Sequence, residues 1–246
     1  MDDIFARNKL IYGENYLNQL QSKHVMIVGL GGVGGFALEA LARAGVKNFT
    51  IIDFDTVSIS NINRQLIALT STVGQSKSLL FEKRLKEINP DINIRVIDTF
   101  FSKENNEKFF DKEVDYIVDA IDTMSSKITL LTFAVQNKIP VVTSLGAGNR
   151  KDPTQLFVAD ISEINNLKDN FAKNIIRQLN KNGITTGITA VCSKERPIKS
   201  SQKTIETSVD NSVIKKREVG STPFVPAVAG YYMGYVVLNE LLDGCR

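Results

Sequence analysis

Cysteine is scarce in this 246-residue chain, occurring only at Cys192 and Cys245. Two cysteines that far apart cannot supply the CxxC pairs of a structural zinc site, nor a disulfide framework, so a reducing compartment fits. Charge of one sign is lacking as well. Thirty Lys and Arg against 27 Asp and Glu leave a net +3, too little for the whole surface to act as a polyanion trap. The start, Met1-Asp2-Asp3-Ile4-Phe5-Ala6-Arg7, has acidic residues where a secretory signal needs a basic region followed by an apolar run. No long hydrophobic run exists either: the uncharged stretch 219–239 is broken by Pro223, Pro226 and Gly230, which leaves less continuous apolar chain than a bilayer requires. These absences predict a cytoplasmic protein with no membrane contact. What is present is ordinary for a globular chain, with 43% hydrophobic residues and a length at which roughly 70% of the unfolded surface is buried without a staple.

Hydrophobic period and punctuation predict alternating strands and helices from about residue 24 to 145. Strands are expected at 24–28, 49–53, 92–97, 114–118 and 139–144, and helices at 36–42, 77–88 and 127–136. Beyond residue 150 the alternation weakens to strands at 156–161 and 188–193 and a helix at 227–242. The polar stretch 200–208 has no sustained apolar period and reads as a long crossover loop. The implied fold class is α/β: a Rossmann-like, doubly wound, mainly parallel sheet with an N-terminal helical segment and a C-terminal antiparallel extension. With no linker or repeat to divide it, the chain 1–246 is read as one unit. Residues 1–150 form its nucleotide-binding part, and 151–246 a substrate-side extension carrying a basic crossover loop.

The chemistry begins at Gly29-Leu30-Gly31-Gly32-Val33-Gly34, which follows a strand and opens a helix. In that setting Gly29 makes the tight turn, Gly31 lets phosphate approach the backbone, and Gly34 lets helix and strand pack closely, while the helix N-terminus attracts the phosphate. Asp53, at the end of the next strand, can accept hydrogen bonds from a ribose diol. These features predict a nucleotide without saying which one, and a redox dehydrogenase would share them. Arg64 and Lys77 shift the balance toward a triphosphate, because fixed cations stabilise the charge that builds up during displacement at phosphorus. Asp122, in Asp119-Ala120-Ile121-Asp122 at the carboxyl edge of the sheet, is placed to hold Mg²⁺ bridging phosphate oxygens.

At these residues the chain resembles the ATP-dependent adenylating superfamily that includes the ubiquitin-activating, molybdopterin-synthase-activating and thiamine-pathway ThiF enzymes. The resemblance implies that Gly31 and Asp53 contact the adenosine of ATP, that Asn61, Arg64 and Lys77 contact its phosphates, and that Asp122 ligates magnesium. It also implies that Arg7 reaches the γ-phosphate from the other subunit of a homodimer. Within the superfamily the pattern is similar to that of the tRNA threonylcarbamoyladenosine dehydratases. Arg43-Ala44-Gly45, Glu87-Ile88-Asn89-Pro90, Asp119 to Asp122 with Lys127, Gly146-Ala147-Gly148, Asp152-Pro153-Thr154-Gln155 and Gly220-Ser221-Thr222-Pro223 carry that likeness. It implies ATP-dependent dehydration, by adenylation and cyclisation, of the threonyl carboxylate on the adenosine beside the anticodon. Partners implied with it are tRNA and the sulfur-transfer proteins of a cysteine desulfurase system. The alternative within the superfamily is an adenylyltransferase for a small sulfur-carrier protein, against which the missing zinc cysteines speak. A non-catalytic nucleotide-binding regulator is a further reading.

Other residues have blander readings. His24 reads as a hydrogen-bonded structural histidine and Cys192 as a small buried hydrophobe. Lys127 reads either as a solvated helix charge or as a nucleotide or substrate contact. Tyr231, Tyr232 and Tyr235 have helical spacing and suggest core or dimer packing. Residues 166–217 hold eleven basic and four acidic side chains. If tRNA is the substrate, Lys194, Arg196, Lys199, Lys203, Lys215, Lys216 and Arg217 are expected to meet its phosphates.

Overall fold

A computed structural model of the chain describes residues 3–102, 109–110, 113–165, 167–198, 204–209, 212–217 and 219–243. Seven strands form one sheet: β1 (His24–Val28), β2 (Asn48–Ile52), β3 (Asn93–Ile97), β4 (Tyr116–Asp119), β5 (Val141–Ser144), β6 (Leu156–Asp160) and β7 (Thr189–Ser193). They lie in the order β3-β2-β1-β4-β5-β7-β6. All neighbours run parallel except β6, which is antiparallel to β7. The interior strands β1, β2, β4, β5 and β7 are buried almost throughout, whereas the edge strands β3 and β6 are largely half-buried; successive residues feed opposite layers. Val25 and Ile27 of β1 join one core cluster, whereas Met26 and Val28 join the other.

The first layer holds α3 (Gly34–Ala44), α4 (Lys77–Ile88) and α7 (Phe224–Asp243), together with the N-terminal helices α1 (Ala6–Tyr12) and α2 (Tyr16–Leu20). The second holds α5 (Met124–Gln136) and α6 (Asn170–Lys181). Local signals fix several ends. The Asp169 carboxylate caps α6 by accepting the Phe171 N–H at 2.7 Å. Gly45 closes α3 at φ 108°, donating to Ala42 and Leu41. The His24 ring bridges Thr50 Oγ1 at 2.9 Å and the Glu113 carbonyl at 2.7 Å, a structural role.

The expected α/β class and mainly parallel order are present, with four differences. No helix is expected between the strands at 156–161 and 188–193, yet α6 forms there, with Ala172, Ile175 and Leu179 buried at helical spacing. The fifth helix starts at Met124, three residues early, and α7 starts at Phe224. Pro226 lies in the first turn of α7, where its missing N–H has no intrahelical partner to lose. The stretch 200–208 is not all loop: β8 (Thr204–Val209) pairs antiparallel with β9 (Ser212–Arg217). This ribbon is a sheet of its own, separate from the seven-stranded one, and its polar sequence lacks the usual apolar strand signature. No described helix is long and apolar enough to cross a membrane.

Helices α3 and α7 touch backbone to backbone at Gly230, where a Cβ would stand 2.3 Å from the Val33 carbonyl oxygen. Alanine gains about 1 kcal/mol of helix propensity over glycine, but overpacking costs about 1–3 kcal/mol and more against backbone. Gly230→Ala is therefore expected to lower unfolding stability by about 2 kcal/mol in a urea titration. A neutral or stabilising effect would contradict this close approach.

Candidate functional site

A cavity of about 650 Å³ opens at the carboxyl edge of the sheet, where β1 is flanked by β2 on one side and β4 on the other. Strand order reverses there, and the loops after β1 and β4 diverge to leave a crevice. Its walls are the glycine turn after β1, residues 53–55 after β2, residues 120–123 after β4 and residues 144–150 from the end of β5 onward.

Gly29 has φ +91° and donates to the Ile52 carbonyl at 2.8 Å; a Cβ on it would stand 2.7 Å from the Ala120 oxygen. Gly34 is tighter still, since its Cβ would fall 1.8 Å from the Gly29 oxygen. Gly31 instead faces open space, with Gln65 Nε2 the nearest atom to its missing Cβ at 3.7 Å. The side chain of Val33, which caps α3, makes no hydrogen bond to the helix. The Gly35 and Phe36 amides donate to the Gly31 and Val33 carbonyls, each at 3.1 Å, so it is the glycine turn ahead of them that meets a ligand, and the helix dipole favours an anionic one.

Asp53 is buried at the cavity wall, accepting the Leu30 N–H at 2.6 Å and the Asp55 N–H at 2.8 Å. Burial pushes its carboxyl above the ordinary value, while the Lys77 charge and these two N–H groups pull it down. It ties the glycine turn to the end of β2, so a ribose diol donating to it would be held beside the phosphate cradle.

The cations arrive by two routes. Asn61 and Arg64 follow a short helical turn in which the Asn61 Oδ1 accepts the Ser58 N–H at 3.2 Å. Arg64 is partly buried against Gly32 and donates to the Ser60 carbonyl and Asn63 Oδ1, each at 2.8 Å. Burial lowers its pKa; as a guanidinium it stays charged. Lys77 opens α4 and is brought to the cavity because residues 55–57 pair with 74–77: Lys77 N–H donates to the Asp55 carbonyl, and Val57 N–H to that of Gln75. The Lys77 ammonium is buried and pairs with Asp55 Oδ2 at 2.8 Å. Asp122 stands on the opposite wall, exposed, with the Thr123 hydroxyl 3.4 Å from its Oδ1.

Gly29, Gly31, Gly32, Asp53, Asn61, Arg64, Lys77 and Asp122 thus line one cavity, with Gly34 packed immediately behind it. Two residues singled out from sequence do not join them. Arg7 is exposed on α1 and lines no wall of this cavity. Lys127 is fully buried, and its ammonium binds Asp119 Oδ2 at 2.6 Å and Thr143 Oγ1 at 3.0 Å rather than facing the cavity. It is neither a solvated charge nor a nucleotide contact in this arrangement. Asp119 also accepts the Ile121 N–H at 3.1 Å, so the pair shapes the turn that carries Asp122. Of the basic residues expected to meet RNA, Lys194 lies 5.7 Å above the Phe157 ring. Lys199 and Lys203 lie outside the described residues, and Lys215, Lys216 and Arg217 fall on β9.

Sequence reasoning missed three contributors. Asp55 is the counter-ion of Lys77 and could have been found only by pairing 55–57 with 74–77. Gln65 is buried beside Gly31, with its Oε1 unpartnered. Asn149, at φ +56°, clasps the far wall: its N–H and Oδ1 bond the Gly220 carbonyl and N–H, both at 2.7 Å, and its carbonyl accepts from Ile198 at 2.7 Å. Cys192 is buried and its thiol is pushed up to about 12, chiefly by burial, so it is no nucleophile.

The sheet order, the glycine turn and the cations gathered at the switch point define a nucleotide-binding α/β protein of the doubly wound class. More narrowly, the chain belongs to the ThiF family, whose model matches residues 5–239. It is 42% identical over 242 residues to the tRNA threonylcarbamoyladenosine dehydratase of Bacillus subtilis, covering 97% of this chain and 94% of that protein. The dehydratases of Haemophilus influenzae and Escherichia coli match over 59% of their own length. The E. coli TcdA structure in complex with ATP superposes with a TM-score of 0.85 at 31% identity, covering 98% of this chain and 94% of that one. The E. coli molybdopterin-synthase adenylyltransferase is 37% identical over only 56% of each chain.

Removing one partner of a buried ion pair leaves an uncompensated charge and costs about 3–5 kcal/mol, whereas replacing both is often near neutral. Lys127→Met should therefore destabilise the fold by about 3–5 kcal/mol in chemical denaturation, and adding Asp119→Leu should recover most of the loss. A stable Lys127→Met protein that has lost only ATP affinity would return Lys127 to the nucleotide site. Asp53 gives a second test. An ATP-bound ribose favours the carboxylate, so ATP affinity should fall with decreasing pH once pH drops through the raised Asp53 value. That decline should begin at higher pH than an ordinary aspartate allows, and calorimetric titrations should find it absent in Asp53→Asn.

Proposed function

We propose that this chain dehydrates threonylcarbamoyladenosine next to the anticodon of tRNA, using ATP to adenylate the threonyl carboxylate. The observation that carries the reading is the convergence of Arg64, Lys77 and Asp122 on the glycine turn, in a chain similar over nearly its whole length to a dehydratase of that name. A carboxylate is a poor electrophile because oxide is a poor leaving group. Its oxygen attacks the α-phosphorus of ATP, pyrophosphate leaves, and an acyl adenylate forms. The neighbouring carbamoyl group then attacks the acyl carbon, AMP leaves with its electron pair, a proton is lost and a five-membered ring closes. The nucleophile is already held within the substrate, so effective molarity replaces a protein thiol. That agrees with the inert, buried Cys192.

The chain's own groups bind and neutralise. The glycine turn and the positive end of the α3 dipole cradle phosphate, Arg64 and Lys77 stabilise charge that grows in the transition state, and Asp53 orients the ribose. Mg²⁺ fits this site: one exposed carboxylate, Asp122, beside a triphosphate is the sparse ligand set that magnesium completes with phosphate oxygens and water. When bound, it would neutralise phosphate charge.

Two features support a homodimer. Phe224, Tyr231 and Tyr235 stay exposed along α7, forming an apolar face that a second copy would cover. Arg7, remote from its own cavity, would enter the partner's.

Incubation of the purified protein with ATP and tRNA bearing threonylcarbamoyladenosine, followed by digestion and mass measurement, should show that nucleoside losing one water. An unchanged nucleoside, with ATP consumed only when a carrier protein is added, would overturn the reading. Arg64→Ala and Lys77→Ala should each lower turnover by about a hundredfold; rates within a few fold of wild type would remove them from the phosphate site.

A further inference from the structure

Helix α6, Asn170–Lys181, contains no acidic residue, and its sequence sorts cleanly by face. Ala172, Ile175 and Leu179 are buried, whereas Lys173, Arg177 and Lys181 are exposed at successive i, i+4 positions. Three like charges one turn apart repel one another along the helix. Lys173 stands near the positive end of the helix dipole, where a cation is unfavourable. Among the described residues no carboxylate forms an ion pair with any of the three. Only Lys181, in the last turn, suits the helix dipole, so helix stability does not account for the row as a whole, and no described ion pair compensates its charge.

The same three side chains edge a groove of about 470 Å³, whose floor includes Ile164, Leu167 and Ile176. At its other end α6 reaches the nucleotide cavity, since its capping residue Asp169 and first-turn Phe171 lie in that cavity's wall. The cations are spaced roughly 6 Å apart along the axis, on the order of one to two phosphate steps of a nucleic-acid strand. The row thus runs from the cavity wall outward, with the sign and repeat of a phosphodiester track.

We propose that Lys173, Arg177 and Lys181 of α6 bind the sugar-phosphate backbone of the tRNA flanking the modified base, so that this base is held over the nucleotide cavity. The proposal rests on the dehydratase reading above and adds a binding surface to it. The track is distinct from the basic residues 194–217 and holds the RNA by position rather than by base identity.

The test compares the full-length wild type with Lys173→Gln/Arg177→Gln/Lys181→Gln in titrations with threonylcarbamoyladenosine-bearing tRNA over a salt series. The triple variant should bind tRNA about 10- to 100-fold more weakly at ~0.1 M salt. Its dependence of log affinity on log salt should be shallower by about two to three, close to one for each lost phosphate contact. ATP affinity should match wild type, because the side chains lie outside the nucleotide cavity, and the melting temperature should be equal or slightly higher, because like-charge repulsion along α6 is removed. Lys173→Arg/Lys181→Arg should keep wild-type tRNA binding. Equal tRNA affinity and equal salt slope in the triple variant, with a wild type that dehydrates its substrate, would overturn the track and leave the enzymatic reading standing. A wild type that neither binds nor dehydrates tRNA would overturn both.

Discussion

The structure depends on one close approach, between the turn that leaves β1 and the turn that leaves β4. Val28 and Asp119 are register partners in adjacent parallel strands, so the next residues, Gly29 and Ala120, must pass within contact before their loops separate. Any side chain at position 29 would meet the Ala120 carbonyl, and any at 34 the Gly29 carbonyl. The crevice opens just beyond this pinch, and the N-terminus of α3 is aimed into it. Asp53 reinforces the pinch from the β2 side through the Leu30 amide, and Asp119 from the β4 side through the Ile121 amide.

Electrostatics follows from that geometry. Arg64 and Lys77 are partly or wholly withdrawn from water, which strengthens their interaction with an incoming anion. Arg64 is held by nearby chain, the Ser60 carbonyl and Asn63, whereas Lys77 is held by Asp55, 22 residues earlier. The Lys127–Asp119 pair is different in kind. Enclosed completely and shared with Thr143, it is satisfied within itself and serves to set the Asp122 turn.

Much of this was legible in the sequence because strong local signals coincide with global needs. The glycine turn announces itself through strand, turn and helix in succession, and Lys77–Ile88 is recovered to the residue because its amphipathic period and Ser76 cap agree. Lys127 was misread because spacing along the chain cannot say which face of a helix an isolated lysine takes. The answer lay in Asp119 and Thr143 on two different strands. The β8–β9 ribbon escaped because the stretch 200–208 is polar and shows no sustained apolar period. Asp55 and Asn149 act through long-range pairings and Gln65 through packing against the glycine turn, and neither leaves a periodic trace.

The central claim is that a triphosphate lies in the crevice between the glycine turn and the two cations. A structure of the protein with ATP tests it most directly. The account predicts the phosphates at the 29–34 turn, with Arg64 and Lys77 within about 3 Å of phosphate oxygens, and with Asp53 on the ribose and Asp122 facing the phosphates. A nucleotide bound elsewhere, or one bound here with Arg64, Lys77 and Asp122 turned away, would contradict it.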